Sequence, residues 1–188
     1  MTKARLEMFS DGVIAIIITI MVLELAQPAG PTWKDFLHEW RHFAIYGLSF
    51  VGLGIYWNSH HQLFHIVDRI NRRVVWTNLN LLFWLSLIPY VTAWVGNQGA
   101  QTVPVAVYVV VHLMCGASFL VMVWALVQEN GNDSALARIV GGDIKGKLSM
   151  GLYLLAFGLA FVWPPLSLVA CTSVALIWIV PDWRMTGR

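Results

Sequence analysis

The sequence contains few charged residues and few cysteines. Lys and Arg number 12 and Asp and Glu number 10, so charged residues make up only 12% of the 188 residues, against about 25% in soluble domains. The net charge of +2 is too small to attract a polyanion. So few charges cannot cover a water-facing surface, which excludes a disordered chain, a nucleic-acid-binding domain and most soluble enzymes.

Apolar residues are abundant instead. They make up 58% of the chain, and the mean hydropathy is +0.67. Cys115 and Cys171 lie inside long apolar runs and form no CxxC pair, so we expect inert core thiols. The composition predicts an all-α membrane protein embedded in a lipid bilayer.

Six segments are candidates for transmembrane helices. A span needs about 20 mostly apolar residues to cross roughly 30 Å of hydrocarbon. The candidates are residues 5–25, 41–64, 74–95, 102–128, 148–163 and 165–183. Shorter helices are predicted at 33–40, with aromatic anchors at the membrane surface, and at 134–140 in a polar linker. No further domain is expected, so residues 1–188 are predicted to form one six-helix unit.

The basic residues predict the orientation of these spans. Ten of the 12 lie at the N-terminus, between spans two and three, between spans four and five, or at the C-terminus. Only Lys34 and Arg41 lie on the other side. The positive-inside rule therefore places both termini in the cytoplasm, with the chain in the cell membrane.

Several polar side chains are predicted to share one depth near the cytoplasmic face. Ser10 and Asp11 lie one to two turns into the first span, at about 1.5 Å per residue. Spans two and three bring further polar residues to a similar depth: Trp57, Asn58, His60, His61, Asn78 and Asn80. Polar residues are costly inside a membrane, so this layer is a candidate functional site.

Three interpretations of this layer are open. Asp11 can accept hydrogen bonds from a histidine, an indole or an amide and so link three helices. The same groups can relay protons or take part in gating. A metal site is a third interpretation, because His61 and His65 have the i, i+4 spacing of two ligands. His65 lies at the membrane edge and no further acidic motif accompanies the pair, so no metal site is predicted.

One face of the first span carries Gly12, Ile16, Thr19 and Leu23. Such a stripe suits lipid contact or helix packing. It also suits the lining of a narrow pore, in which aliphatic rings close by dewetting and a hydroxyl layer lies between them. Glu24, at the outer end, is either a solvated helix end or a carboxylate that concentrates cations at a mouth.

Two further features are expected to be structural. His112 lies in the middle of the fourth span and is predicted to be a hydrogen-bonded core residue. Gly47 and Gly54 in the second span suit close helix packing.

The motif Arg5-Leu6-Glu7-Met8-Phe9-Ser10-Asp11 resembles the RxxxFSD signature of the transmembrane protein 175 potassium channels. Residues 57–64 resemble the second-helix pattern of that family, and residues 78–92 resemble the third. The last three helices match in pattern more than in motif.

This resemblance implies a homotetrameric potassium channel without a cofactor, whose first helix lines the central pore. The family's pore-facing positions fall here on Ile16, Thr19 and Leu23, and the chain contains no TVGYG filter. The resemblance also implies a polar cluster that holds the first helix in place. We define the polar cluster as the eight residues Arg5, Phe9, Ser10, Asp11, Trp57, His60, His61 and Asn78.

The main alternative is a small secondary transporter that uses Asp11 and the histidines for proton coupling. Six spans without a visible internal repeat weaken this alternative, because inverted repeats are common in transporters.

Overall fold

The computed structural model describes residues 2–131, 133–140 and 144–179, and all regular structure within them is helical. The helices in those ranges are α1 (Lys3–Leu23), α2 (Trp33–His38), α3 (Trp40–Ile66), α4 (Arg72–Ser86), α5 (Ile88–Gln98), α6 (Thr102–Asn130), α7 (Ala135–Val140), α8 (Ile144–Val162) and α9 (Pro164–Ile179). The prediction of an all-α protein is confirmed for this part of the chain.

Helix α1 begins at a side-chain cap and buries one face. The Thr2 hydroxyl accepts a hydrogen bond from the Arg5 amide, which satisfies a donor that has no partner within the helix. The buried face contains Leu6, Ser10, Ile14, Ile17 and Met21. These residues recur every three or four positions, so they form one stripe that packs against α3, α4 and α5.

The predicted third span is interrupted. Helix α4 ends at Ser86 and α5 begins at Ile88, whereas the sequence predicted one continuous helix over residues 74–95. The physical reason is Pro89, which has no N–H to donate to the carbonyl of Leu85. The Leu87 amide instead donates to the Trp84 carbonyl at 3.2 Å, which tightens this turn.

Four segments in the described ranges are long and apolar enough to cross a membrane: Lys3–Leu23, Arg72–Gln98, Thr102–Asn130 and Ile144–Val162. Helix α3 is long enough to cross a membrane, at 27 residues, but it carries more polar side chains than those four segments. Helix α9 is apolar but only 16 residues long. The part of the last predicted span beyond residue 179 lies outside the described residues. The helices make this a multi-pass membrane protein.

The short helices α2 and α7 lie close to their predicted positions. Helix α2 begins with a capping box, in which the Thr32 hydroxyl accepts from the Asp35 amide and the Asp35 carboxylate accepts from the Thr32 amide. The hydrogen bonds from Thr32 lower the pKa of Asp35 below its ordinary value of 3.8.

The core of the subunit surrounds α6, which packs against α4, α5, α8 and α9. His112 is buried there and its Nδ1 donates to the Tyr108 carbonyl at 2.9 Å, as predicted for a core histidine. Cys115 and Cys171 are both free and buried, as expected. By contrast, a Cβ added at Gly47 or Gly54 would meet no atom of the described residues within 4 Å, so neither glycine permits a close contact between the helices that the structure describes.

Candidate functional site: the polar contacts and exposed face of α1

Ser10, Asn78 and His60 form a buried chain of hydrogen bonds across three helices. His60 Nε2 on α3 donates to Asn78 Oδ1 on α4 at 2.8 Å. Asn78 Nδ2 donates to Ser10 Oγ on α1 at 2.9 Å, and Ser10 Oγ donates to the Leu6 carbonyl at 2.9 Å. All three side chains are fully buried. In low dielectric, separating α1 from α3 and α4 would leave these groups without partners, so the chain holds the three helices together.

Asp11 is linked to α3 by a second hydrogen bond. Trp57 Nε1 donates to Asp11 Oδ1 at 3.0 Å. The Trp57 ring stacks on the imidazole of His61, with ring centroids 6.1 Å apart and planes inclined by 15°. The contact is partly exposed, so Asp11 lies at the edge of the buried chain.

Glu7 and Lys3 provide further links that the sequence analysis did not identify. His61 Nδ1 donates to Glu7 Oε1 at 3.0 Å. Lys3 Nζ donates to the carbonyl of Val67 at 2.8 Å, next to the C-terminal end of α3 where a cation is favourable. The signal for Glu7 is its position four residues before Asp11, which places both carboxylates toward α3.

Two members of the polar cluster lie outside these contacts. The Phe9 side chain is 48% exposed, and Arg5 is exposed with no ion pair to any residue that the structure describes. Asn80, predicted at the same depth, does not join the cluster either. Its Nδ2 donates to Ser118 Oγ on α6 at 2.7 Å, because α4 turns that position away from α1.

The contacts that the structure shows within the polar cluster are hydrogen bonds and ring stacking. Within the described ranges, no group of three His, Cys, Asp or Glu side chains is placed to hold a metal ion. One ring atom of the cluster, His60 Nδ1, is buried and has no hydrogen-bond partner among the residues that the structure describes. The His60 ring stacks on Phe64 at 4.4 Å between centroids, which accounts for its packing.

The opposite face of α1 packs against none of the other helices that the structure describes. Ile16 is 58% and Leu23 79% exposed, and Thr19 between them is also exposed. Thr19 Oγ1 donates its proton to the Ile16 carbonyl at 2.9 Å. The Thr19 oxygen therefore keeps its lone pairs free on the exposed side, where it can coordinate a cation.

Glu24 follows the last residue of α1 and is exposed. A carboxylate at a helix C-terminus lies beside the negative end of the helix dipole, so it does not stabilise the helix. The carboxylate and the dipole add to give a negative potential at this end of α1, which attracts cations.

Two further networks hold the helices around this site, and the sequence analysis missed both. Asn130 at the end of α6 accepts hydrogen bonds from the amides of Asp68 and Arg69 and donates to the Arg69 carbonyl. In the middle of the bundle, the Thr92 hydroxyl donates to Ser49 Oγ at 2.7 Å, and Ser49 Oγ lies 3.1 Å from the Tyr108 hydroxyl. Single hydroxyls and a helix-ending asparagine give no distinctive sequence signal.

Comparisons with known proteins agree on one family. The family model described as endosomal/lysosomal potassium channel TMEM175 matches residues 5–89. A potassium channel from Chryseobacterium sp. strain P1-3 is 41% identical over 98% of this chain and 96% of its own. One from Streptomyces collinus is 34% identical over 93% of this chain and 90% of its own.

A solved structure agrees as well. The crystal structure of a lysosomal potassium-selective channel TMEM175 homologue from Chamaesiphon minutus superposes with a TM-score of 0.82. It is 26% identical and the match covers 95% of this chain and 96% of the other. The relatives are ion channels and not enzymes, and this chain belongs to the TMEM175 potassium channel family.

Proposed function

We propose that this protein is a potassium-permeable cation channel in which four copies surround a central pore lined by α1. The names of the bacterial relatives support potassium as the permeant ion. The observation that carries the pore assignment is the exposed stripe of Ile16, Thr19 and Leu23, opposite the face of α1 that packs on its own subunit. No cofactor is required for this function.

The stripe supplies two functional elements. Rings of Ile16 and Leu23 form hydrophobic constrictions, where an ion must lose or compress its hydration shell, so a small change in radius switches conduction. The ring of Thr19 between them offers hydroxyl oxygens to a partly dehydrated ion. A single hydroxyl layer replaces less of the hydration shell than stacked carbonyls do, so selectivity for potassium over sodium is modest. Glu24 raises the local cation concentration at the outer mouth.

The polar contacts set the position of α1. The chain from Ser10 through Asn78 to His60 and the Trp57–Asp11 bond fix the helix against α3 and α4. Because one face of α1 is rigidly attached, its opposite face lies at a defined distance from the pore axis. The cluster thereby sets the pore diameter without touching the ion.

The proposed topology has six spans in one domain over residues 1–188. The spans are α1, α3, the broken α4–α5 pair, α6, α8 and α9. Both termini are cytoplasmic and the protein lies in the cell membrane, because ten of the 12 basic residues fall on one side of these spans.

The proposal is tested by ion flux in liposomes of the purified protein. We expect potassium flux driven by a potassium gradient, smaller sodium flux, and no requirement for a proton gradient. Chemical cross-linking of the same preparation should give a tetramer.

The transporter alternative gives a different result. Flux that requires a pH gradient, saturates at low millimolar potassium and persists in a monomer would overturn the channel assignment. Flux that is absent from a tetramer at all voltages and at both neutral and acidic pH would also count against it.

A further inference from the structure

A large groove lies between α3 and α9, at the end of the bundle opposite the N-terminus of α1. Its volume is about 870 Å³, and it is lined by the first half of α3, the end of α5 and most of α9. No element that the structure describes fills it. The groove lies on a different part of the subunit from the exposed face of α1.

The mouth of the groove is polar and positively charged. Trp40, Arg41, Gln98 and Gln101 line it there. Trp40 is 61% exposed, and the Arg41 guanidinium lies 5.9 Å from the centroid of its ring. Within the described residues, no carboxylate pairs with Arg41. An aromatic ring and a free guanidinium at a helix end are typical of the headgroup level of a membrane.

Apart from Thr172, the rest of the groove is apolar, and along α9 it extends from Pro165 to Ile179, about 21 Å at 1.5 Å per residue. Its walls include Leu48, Val51, Val169 and Leu176. From Trp40 to Val51, α3 rises about 16 Å at 1.5 Å per residue, close to half of the roughly 30 Å hydrocarbon thickness. The floor has space because Gly47 has no side chain, and a Cβ there would meet no atom within 4 Å.

We infer that this groove binds one phospholipid with an anionic headgroup. The phosphate and the headgroup contact Arg41, Gln98 and Gln101, and the acyl chains lie on Gly47, Val51 and the exposed side of α9. Charge complementarity selects the occupant, since an unpaired guanidinium at headgroup depth favours an anionic lipid over a zwitterionic one. A soluble anion would leave the apolar walls uncovered. This site does not depend on whether the protein conducts ions.

Native mass spectrometry of the purified protein tests the site. The protein is titrated with dioleoyl phosphatidylglycerol or with dioleoyl phosphatidylcholine, and the retained lipids are counted per chain. We expect one phosphatidylglycerol per chain to be retained in preference to phosphatidylcholine. Arg41→Gln should weaken phosphatidylglycerol retention about fivefold, the equivalent of about 1 kcal/mol for one basic residue at an anionic surface, and Arg41→Lys should lose less.

Three further variants, two of them controls, distinguish binding in the groove from general effects. Lys34→Gln removes the other basic residue predicted at this side of the membrane, outside the groove, and should leave retention unchanged. Gly47→Leu fills the groove and should reduce retention of both lipids. Gly158→Leu makes the same change on α8, where an added Cβ also meets no atom within 4 Å, and should have no effect.

Three outcomes would overturn the inference. The first is a wild-type protein without preference for phosphatidylglycerol. The second is an equal loss in Arg41→Gln and Lys34→Gln. The third is a wild-type protein that retains no lipid, combined with an oligomer that dissociates in Gly47→Leu but not in Gly158→Leu. A second copy of the chain would then occupy the groove.

Discussion

The two faces of α1 differ in what they contact, although one continuous helix carries both. One face is buried, and Ser10 on it shares a hydrogen-bond chain with two other helices. The other face exposes Ile16, Thr19 and Leu23, which have no packing partner among the residues that the structure describes. In the proposed channel, the buried face fixes the helix and the exposed face lines the pore. Substitutions on the two faces should therefore change different measurements.

The largest effect is expected on the buried face, for Asn78→Ala. This change leaves His60 Nε2 and Ser10 Oγ without their inter-helix partner, and each buried polar group left unsatisfied is worth about 1–3 kcal/mol. Thermal unfolding in detergent should show a lowered midpoint. Asn58→Ala is the control, because Asn58 is exposed and makes no side-chain hydrogen bond to the described residues. Equal stability of both variants would break the distinction between the faces.

The next effect is on the exposed face, for Leu23→Ala. In the proposed tetramer this removes four bulky side chains from a constriction, which should lower the barrier to a hydrated ion by on the order of 1 kcal/mol, or about fivefold in potassium flux. Stability should not change. Val22→Ala is the matched control, because Val22 is also exposed but lies about 100° around the helix from Leu23. Equal currents in the two variants would contradict a constriction at Leu23.

A smaller effect is expected for Thr19→Val, which removes the hydroxyl while keeping the shape. Losing the oxygen ligands should reduce the potassium-to-sodium permeability ratio about twofold, the equivalent of roughly 0.5 kcal/mol. Reversal potentials under bi-ionic conditions measure this ratio. Thr172→Val on α9 removes a hydroxyl that is equally exposed and equally bonded to its own helix, and should have no effect. An unchanged ratio in Thr19→Val would remove the hydroxyl layer from the mechanism.

The smallest effect is expected for Glu24→Gln at the end of the exposed face. Loss of the carboxylate should reduce inward potassium current at about 10 mM salt, where the Debye length is about 30 Å. At about 1 M salt the Debye length is about 3 Å, so the two proteins should conduct alike. A reduction that is independent of salt would show that Glu24 acts on structure and not through its charge.

The sequence predicted the helical architecture and most of the polar contacts, for physical reasons. Ser10, Asp11, Trp57, His60, His61 and Asn78 fall at one depth by counting residues, because helix rise is constant. Arg5 and Phe9 fall at the same depth but point away, since depth does not specify which side of a helix a residue occupies. The contact of Lys3 was missed because it depends on where α3 ends. Glu7 was missed although its position four residues before Asp11 places it on the same side of α1.

The break at residue 87 was missed for a different reason. The prediction of one continuous helix over residues 74–95 took no account of Pro89, although proline removes a backbone hydrogen bond inside any helix. Hydropathy alone gives one continuous apolar segment over Arg72–Gln98, so it does not detect the change of helix. The assembly and the pore axis cannot be obtained from one chain, because they depend on contacts between copies.

The most direct test of the central claim is cadmium block of Leu23→Cys, with Val22→Cys as its control. In the proposed tetramer, four thiolates at a narrow ring would bind a soft cation tightly, and the native Cys115 and Cys171 are buried, so the background is low. The account predicts that micromolar cadmium blocks potassium current in Leu23→Cys and spares Val22→Cys and the wild type. Equal block of both variants, or none in Leu23→Cys, would contradict a pore lined by this face of α1.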